Sequence, residues 1–201
     1  MNIALLLLCL VSTSIQPAFA NDMLLLEVTG ARKLENSISF EDKYFIEQKT
    51  KLIFDDDKGI FLFGNEKGSI LFTIDDIERV RQLLEKYLTW EELAVENKVK
   101  LYKDLPESVF TTDIVYAKTN RGDYIKESIH FKMAFYSLSE TEHYLVIESG
   151  RSEKSSYSFL GEPLYIRKSE VQKMYSLIND KKIEQCLEAY RNKEQLKELF
   201  Q

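Results

Sequence analysis

The pattern of residues 70–84 recurs between residues 164 and 178, at an offset of 94 positions, and this recurrence constrains the fold more than any other feature. In the first copy, alternating apolar residues predict a short strand, and Asp75 stands where a helix N-cap is expected. In the second copy, Ser169 holds the equivalent place. Apolar residues follow each cap at helical spacing: Ile77, Val80, Leu83 and Leu84 in the first copy, and Val171, Met174, Leu177 and Ile178 in the second. Each copy therefore predicts a strand that runs directly into an amphipathic helix.

The helices of both copies carry further signals. Asp76 and Glu170 correspond in the first turn, where a carboxylate suits the positive end of the helix dipole. A capping-box pattern that begins at Thr89 predicts a helix restart there, and the second copy predicts one near Asn179 or Asp180. Each helical region is thus expected to contain a break.

The correspondence also extends beyond these segments. Residues 52–53 match residues 146–147 at the same offset, and Leu93 matches Leu187. A strand followed by a capped helix is a common unit, so chance similarity is the alternative to a true repeat. We predict an α+β fold of two pseudo-repeated halves, each made of β-strands and then a helix, with antiparallel sheet or sheets packed against the helices.

The domain organisation follows from this repeat. Residues 21–105 are predicted to form the first half and residues 106–201 the second. The connector at residues 99–106 is short and only mildly polar, which favours two halves that share one core. With 201 residues, of which 44% are hydrophobic and 12% aromatic, the chain has ample material for a packed core.

The first twenty residues have the features of a secretory signal peptide. Residues 3–11 form a short apolar core, and Ala18-Phe19-Ala20 is a small-residue cleavage site. We therefore expect cleavage near Ala20 and an exported protein, periplasmic or secreted, with no transmembrane segment in the mature chain. An uncleaved anchor and a chain lipidated at Cys9 are the alternatives.

Removal of residues 1–20 would leave Cys186 as the only cysteine, so no intramolecular disulfide is expected. Cys186 lies on or beside the apolar stripe of the last helix, which predicts a buried small side chain. An intermolecular disulfide and a reactive thiol are the alternatives. Residues 193–201 continue the stripe and are expected to pack on the body, or else on a partner.

Alternation and turn residues predict the strands. The expected strand segments are residues 23–28, 36–40, 43–48, 51–54, 60–63, 109–118, 125–138, 144–147, 155–160 and 164–166. Hairpin turns are expected at residues 55–59 and 119–123, which contain aspartate and glycine.

The turn Asp55-Asp56-Asp57 invites a calcium hypothesis. An EF-hand loop needs spaced oxygen ligands, a glycine at its sixth position and a glutamate at its twelfth, and this segment lacks that pattern. We therefore predict a solvated turn and no metal site.

The two histidines are the only imidazoles available as general bases. Alternation along residues 125–138 predicts a core face and an opposite face. The core face carries Ile129, Phe131, Met133 and Phe135, and the opposite face carries His130, Lys132, Ala134 and Tyr136. The opposite face is predicted to be a solvated surface. Nothing in the sequence brings His130 and His143 together. Because the common nucleophile, phosphate-loop and zinc motifs are also missing, we predict no catalytic, cofactor-binding or metal residues.

The favoured function is an exported, non-catalytic binding protein whose sheet presents a polar or aromatic surface to a protein, a glycan or an envelope component. The formal net charge of −6 disfavours a broad surface for polyanions. An exported hydrolase that uses two carboxylates is an alternative, because the 33 acidic residues offer many pairs.

A second alternative comes from the stretch Lys67-Gly68-Ser69-Ile70-Leu71, which leads into the predicted helix. This passage, and the tandem plan of strands followed by a helix, resembles the PC4-like, Whirly and Pur-type folds over about half of each repeat. The resemblance implies single-stranded nucleic-acid binding on a basic, aromatic sheet face. The acidic charge and the export signal argue against that use here.

Overall fold

The computed structural model describes residues 22–33, 45–65, 68–118, 121, 123–149 and 163–199. This part of the chain forms, in order, β1 (Asp22–Lys33), β2 (Phe45–Asp55), β3 (Ile60–Asn65), β4 (Gly68–Phe72), α1 (Ile74–Asn97), β5 (Tyr102–Asp104), β6 (Phe110–Lys118), β7 (Tyr124–Ser137), β8 (His143–Ser149), β9 (Leu164–Arg167), α2 (Lys168–Ile178) and α3 (Lys181–Leu199). The protein is α+β, as predicted. Within these ranges, no helix combines the length and the apolar character that a membrane span requires.

These strands form one antiparallel sheet in the order β5-β7-β6-β4-β3-β2-β1-β9-β8. Strand β7 also pairs with β8, so eight strands form a closed and curled ring. Strand β7 is long enough to have two partners along one edge: β6 pairs with its first half, and β5 pairs with residues 134–136. Strand β5 therefore lies outside the ring, and its other edge has no partner strand among the described residues.

The main core lies between the sheet and the helices. Ile129, Phe131, Met133 and Phe135 alternate along β7 and are at most 3% exposed, which confirms the predicted inward face of this strand. Helix α1 contributes residues at helical spacing: Ile77, Val80, Leu83, Leu84, Tyr87 and Ala94. Removing this apolar surface from water is the main favourable term for the fold.

Both segments of the predicted repeat form a strand that passes directly into a helix, β4 into α1 and β9 into α2. Helix α1 is continuous for 24 residues, so the predicted restart at Thr89 is wrong; the Thr89 hydroxyl instead donates to the Glu85 carbonyl at 3.0 Å. The second helical region does break at Asn179 and Asp180, as predicted. The structure does not confirm a repeat of the whole halves.

Both predicted N-caps are wrong by two residues. The N-cap of α1 is Thr73 rather than Asp75, and its hydroxyl accepts a hydrogen bond from the Asp76 amide at 3.4 Å. The Asp76 carboxylate accepts in return from the Thr73 amide at 2.8 Å, which completes a capping box. The N-cap of α2 is Arg167 rather than Ser169, and it makes no side-chain capping bond.

The predicted hairpins form between β2 and β3 and between β6 and β7. Two strand predictions need correction. Residues 45–55 form one strand instead of two, and β1 continues past Gly30 to Lys33, because β2 pairs with it along its whole length. The expected strands at residues 36–40 and 155–160 lie outside the described residues.

The connector between the predicted halves and the C-terminal tail also differ from their predictions. Residues 99–106 contain β5, which pairs with β7 and is therefore part of the sheet. In the tail, Leu196 is 57% and Leu199 is 78% exposed, so the expected packing of these side chains on the body is wrong.

Candidate functional site

The outward face of β7 is more buried than the solvated surface that the sequence predicts. His130 is exposed there, and its Nδ1 lies 3.0 Å from the hydroxyl of Thr111. Further along the same face, Ala134 is fully buried, as is Val146 opposite it on β8. A second, small apolar cluster therefore lies on the side of the sheet that faces away from α1 and α2.

Four tyrosines from neighbouring strands lie at or beside this cluster and are together called the tyrosine face: Tyr102 of β5, Tyr136 of β7, Tyr144 of β8 and Tyr165 of β9. Tyr144 is 3% exposed and is part of the cluster, Tyr136 and Tyr165 pack against it, and Tyr102 contacts Tyr136. The strand register places Tyr136 opposite both Tyr102 and Tyr144. The ring centroids are 5.9 Å apart for Tyr102 and Tyr136, and 6.0 Å apart for Tyr165 with either Tyr136 or Tyr144. These spacings are those of favourable aromatic pairs. The rings therefore support one another on a rigid sheet.

An ionic cluster borders the tyrosine face. The Lys132 ammonium lies 3.0 Å from Asp104 Oδ1 and 3.3 Å from Glu148 Oε2. The hydrogen bond to Asp104, and then the interaction with Glu148, raise the pKa of Lys132 against the opposing effect of burial. The Tyr102 hydroxyl donates to Glu148. Burial, and then this hydrogen bond and the Glu148 charge, raise the pKa of Tyr102. Lys132 stays charged and Tyr102 stays neutral near neutral pH, so the cluster fixes the Tyr102 ring.

This arrangement offers aromatic rings beside polar groups. Tyr102 is 47% exposed, and Tyr136 and Tyr165 are partly exposed, whereas the aliphatic groups beneath them are buried. A tyrosine ring presents an apolar body with a polar tip, so it can stack on a ligand and hydrogen-bond to it. The exposed carboxylate of Asp104 adds a hydrogen-bond acceptor at the border. The tyrosine face is therefore suited to a ligand with both apolar faces and hydroxyl groups.

The two histidines do not form a catalytic pair. Residue His143 lies on β8 opposite Ser137, on the helix side of the sheet, whereas His130 lies on the other side. His143 is 6% exposed, its ring stacks on Phe135, and neither ring nitrogen has a hydrogen-bond partner in the described part of the chain. The two imidazoles therefore cannot contact the same substrate atom.

The aspartate turn has a structural role. Asp55 is fully buried, and its Oδ1 accepts hydrogen bonds from the amides of Asp57 and Lys58 at 3.0 and 3.1 Å. The Asp57 carboxylate pairs with Lys193 of α3 at 2.6 Å. Carboxylate oxygens of Asp55, Asp56 and Asp57 lie within 4.8 Å of one another. These bonds shape the hairpin and tie it to α3.

A cavity of about 380 Å³ lies beside this turn, between α3 and the first two strands. Phe54, Cys186 and Tyr190 form part of its wall, and Lys193 stands at its charged border. Cys186 is 7% exposed, which confirms its predicted burial. Cys186 is part of the main hydrophobic core.

The fold and the tyrosine face together define an α+β protein with a curled antiparallel sheet and an aromatic surface on the side away from its helices. No protein family model, no curated protein and no solved structure matches the chain. The comparisons therefore add no support to the resemblance to PC4-like, Whirly and Pur-type folds.

Sequence reasoning missed the tyrosine face. Alternation along β7 correctly placed Tyr136 on the same face as Lys132. Two ring partners of Tyr136, Tyr102 of β5 and Tyr165 of β9, are distant in sequence and approach it only because β5 pairs with β7 and β9 pairs with β8. The sequence signal that indicates this surface is a tyrosine in each of three predicted strands: Tyr136 in residues 125–138, Tyr144 in residues 144–147 and Tyr165 in residues 164–166.

Proposed function

We propose that the protein is an exported, non-catalytic binding protein that holds a glycan on its tyrosine face. The carrying observation is the row of four tyrosines, at ring spacings of 5.9 to 6.0 Å, with carboxylates at its border. Sugar rings have apolar faces that stack on aromatic rings, and their hydroxyls hydrogen-bond to carboxylates and phenols. The signal-like residues 1–20 support export to the periplasm or beyond.

A glycan accounts for this surface better than a protein partner does. Protein interfaces are also rich in tyrosine, but their centres are apolar and depleted of charged residues. Here the aliphatic side chains of Ala134 and Val146 are already buried beneath the rings, and the accessible atoms belong to tyrosines and to charged groups. Strands hold the rings in place, so little conformational entropy is lost on binding.

The test is a panel of defined oligosaccharides, followed by calorimetry of those that bind. We expect Tyr102→Ala to weaken binding about tenfold or more, because it removes the most exposed ring of the tyrosine face, while Tyr102→Phe keeps most of the affinity. Leu93→Ala, at an exposed position of α1, is the control and leaves binding unchanged. Equal affinity of Tyr102→Ala and wild type would refute the proposal.

The same preparation tests the alternatives. A low-salt gel shift with single-stranded oligonucleotides would reveal the nucleic-acid binding that the sequence resemblance implies. Hydrolysis of glycoside, ester or peptide substrates that is lost in Asp104→Asn or Glu148→Gln would replace the binding role with carboxylate chemistry. These two acids are the natural pair to test, because one lysine holds both.

A further inference from the structure

Two lysines place their charges over one indole ring. Lys86 of α1 and Lys103 of β5 have their Nζ atoms 5.6 and 4.9 Å from the centroid of Trp90, the only tryptophan of the chain. Trp90 is anchored edge-on against Phe135 at 6.3 Å. Cation–π attraction holds each ammonium at the ring. Two elements from different parts of the sequence therefore each bring a positive charge to within about 6 Å of the same ring centroid.

Neither of these two charges forms an ion pair within the described residues. No carboxylate there lies within 4.0 Å of the Lys86 or Lys103 ammonium, whereas Lys132 of β7, on the other side of the sheet, has two such partners. An anion beside this ring is attracted by both ammonium groups. The arrangement therefore favours an anionic occupant.

A cavity of about 260 Å³ continues from Lys86 along α1, and its lining includes a third cation, Arg79, as well as Glu107. The Arg79 guanidinium lies 4.2 Å from the Phe110 ring centroid and donates to the carbonyls of Glu107 and Val109. These bonds hold Glu107 in the left-handed conformation, at a φ of 53° that is costly for a residue with a Cβ. The cavity wall is thus fixed by Arg79. We call the surface formed by Trp90, Lys86, Lys103 and this cavity the Trp90 groove.

Strand β5 connects the Trp90 groove to the tyrosine face. Tyr102 and Asp104 lie on the face that carries Tyr136, whereas Lys103 lies opposite Phe135 on the other face. Because β5 is the edge strand outside the ring, a ligand on Tyr102 can pass around its edge to reach Lys103. Tyr102 and Lys103 are consecutive residues, so the two surfaces adjoin along β5.

We propose that the Trp90 groove binds the acidic group of a glycan, a carboxylate or sulfate, whose neighbouring sugars lie on the tyrosine face. This inference rests on the proposed glycan-binding function and gives it a ligand class. A nucleic acid fits less well, because Asp104 and Glu148 on the other side of β5 repel a second phosphate.

The fluorescence of Trp90 reports ligand binding at the groove. The protein is titrated with a xylo-oligosaccharide that carries a single glucuronate, with the neutral xylo-oligosaccharide of equal length, with inorganic phosphate and with a single-stranded oligonucleotide, while Trp90 emission is recorded and calorimetry gives the affinity. We expect a saturable emission change with the glucuronate-bearing chain at about fivefold or greater preference over the neutral chain, weakened by added salt. Lys86→Gln and Lys103→Gln should each remove that preference, and Lys51→Gln, at an exposed position of β2, should retain it.

The variants separate this inference from the proposed function. If lysine variants match wild type while Tyr102→Ala loses both acidic and neutral chains, the Trp90 groove assignment is overturned and the tyrosine face stands. If Tyr102→Ala binds normally while the lysine variants lose the acidic chain, the groove stands and the tyrosine-face proposal fails. An equal response to phosphate, or a stronger one to the oligonucleotide, would overturn the glycan assignment.

Discussion

Glu170 is expected to make the stability of the protein depend on pH. Its side chain, 13% exposed, lies in the first turn of α2, where Oε2 accepts a hydrogen bond from the Thr29 amide at 3.1 Å. Oε1 pairs with Lys173. Burial raises the pKa of Glu170, but the Lys173 bond, then the Thr29 amide and the Lys173 charge, outweigh it, so the pKa lies below its ordinary value of 4.5.

The direction of the pH effect follows from this lowered pKa. The unfolded chain takes up the proton at a higher pH than the folded protein, so the stabilising contribution is complete above 4.5 and is lost as pH falls through the folded pKa. Glu170→Gln keeps a neutral acceptor for Thr29 but removes the charge. A charge-assisted bond exceeds a neutral one by about 1 kcal/mol, so we expect the variant to lose about 1 to 2 kcal/mol near pH 7.

Guanidinium denaturation near pH 7 and near pH 3 measures this effect. The free energies of unfolding of wild type and Glu170→Gln should differ near neutral pH and converge in acid. Glu188→Gln, at an exposed position of α3, serves as the control and should change stability by less than about 0.5 kcal/mol. A difference that stays constant across this pH range would show that Glu170 does not contribute through its charge.

Two further predictions use matched pairs of variants in the same denaturation assay. Thr73→Ala should destabilise the protein by about 1 kcal/mol, because it removes the hydroxyl that caps α1. Asp75→Ala should destabilise it much less, and the opposite order of effects would show that Asp75 is the cap. His143→Phe should raise the free energy of unfolding by about 1 kcal/mol, because it keeps a ring stacked on Phe135 and removes two buried nitrogens that have no partner among the described residues. His130→Phe, at an exposed position, should change stability little, and a marked loss of stability in His143→Phe would reveal a polar partner for the His143 ring.

The elements predicted correctly are those whose signal is local. The β2–β3 and β6–β7 hairpins follow from apolar runs on either side of short polar turns. The break between α2 and α3 at Asn179 and Asp180 follows from residues that compete with helical hydrogen bonds. In each case the residues that decide the structure are close together in sequence, so one short segment carries the signal.

The helix starts were missed because two capping patterns overlap. Asp75 is a good N-cap residue, but Thr73 and Asp76 also fit a capping box when aspartate takes the place of the usual glutamate. Three hydrogen bonds between Thr73 and Asp76 outweigh the single bond that an Asp75 cap would make. Thr89 shows the opposite error, since its hydroxyl bonds to the preceding turn and leaves α1 intact.

The candidate site was missed because strand pairing creates it. Residues 99–106 look like a connector, yet three of them find a partner on β7 where β6 ends. This pairing is possible because β7 extends beyond the residues that pair with β6. No local sequence pattern predicts that β5 pairs with this extension. Without β5, Tyr102 would have no place beside Tyr136, and Lys103 would not reach Trp90.

The closed ring also explains why both proposed surfaces meet at β5. In a ring of paired strands, the two sides of the sheet are separated, and α1 and α2 cover one of them. An edge strand outside the ring is where a ligand can touch both sides at once. Tyr102 and Lys103 are neighbours in sequence with side chains on opposite sides, one held by Glu148 and the other by Trp90. The three-residue strand β5 therefore links aromatic stacking on one face to charge recognition on the other.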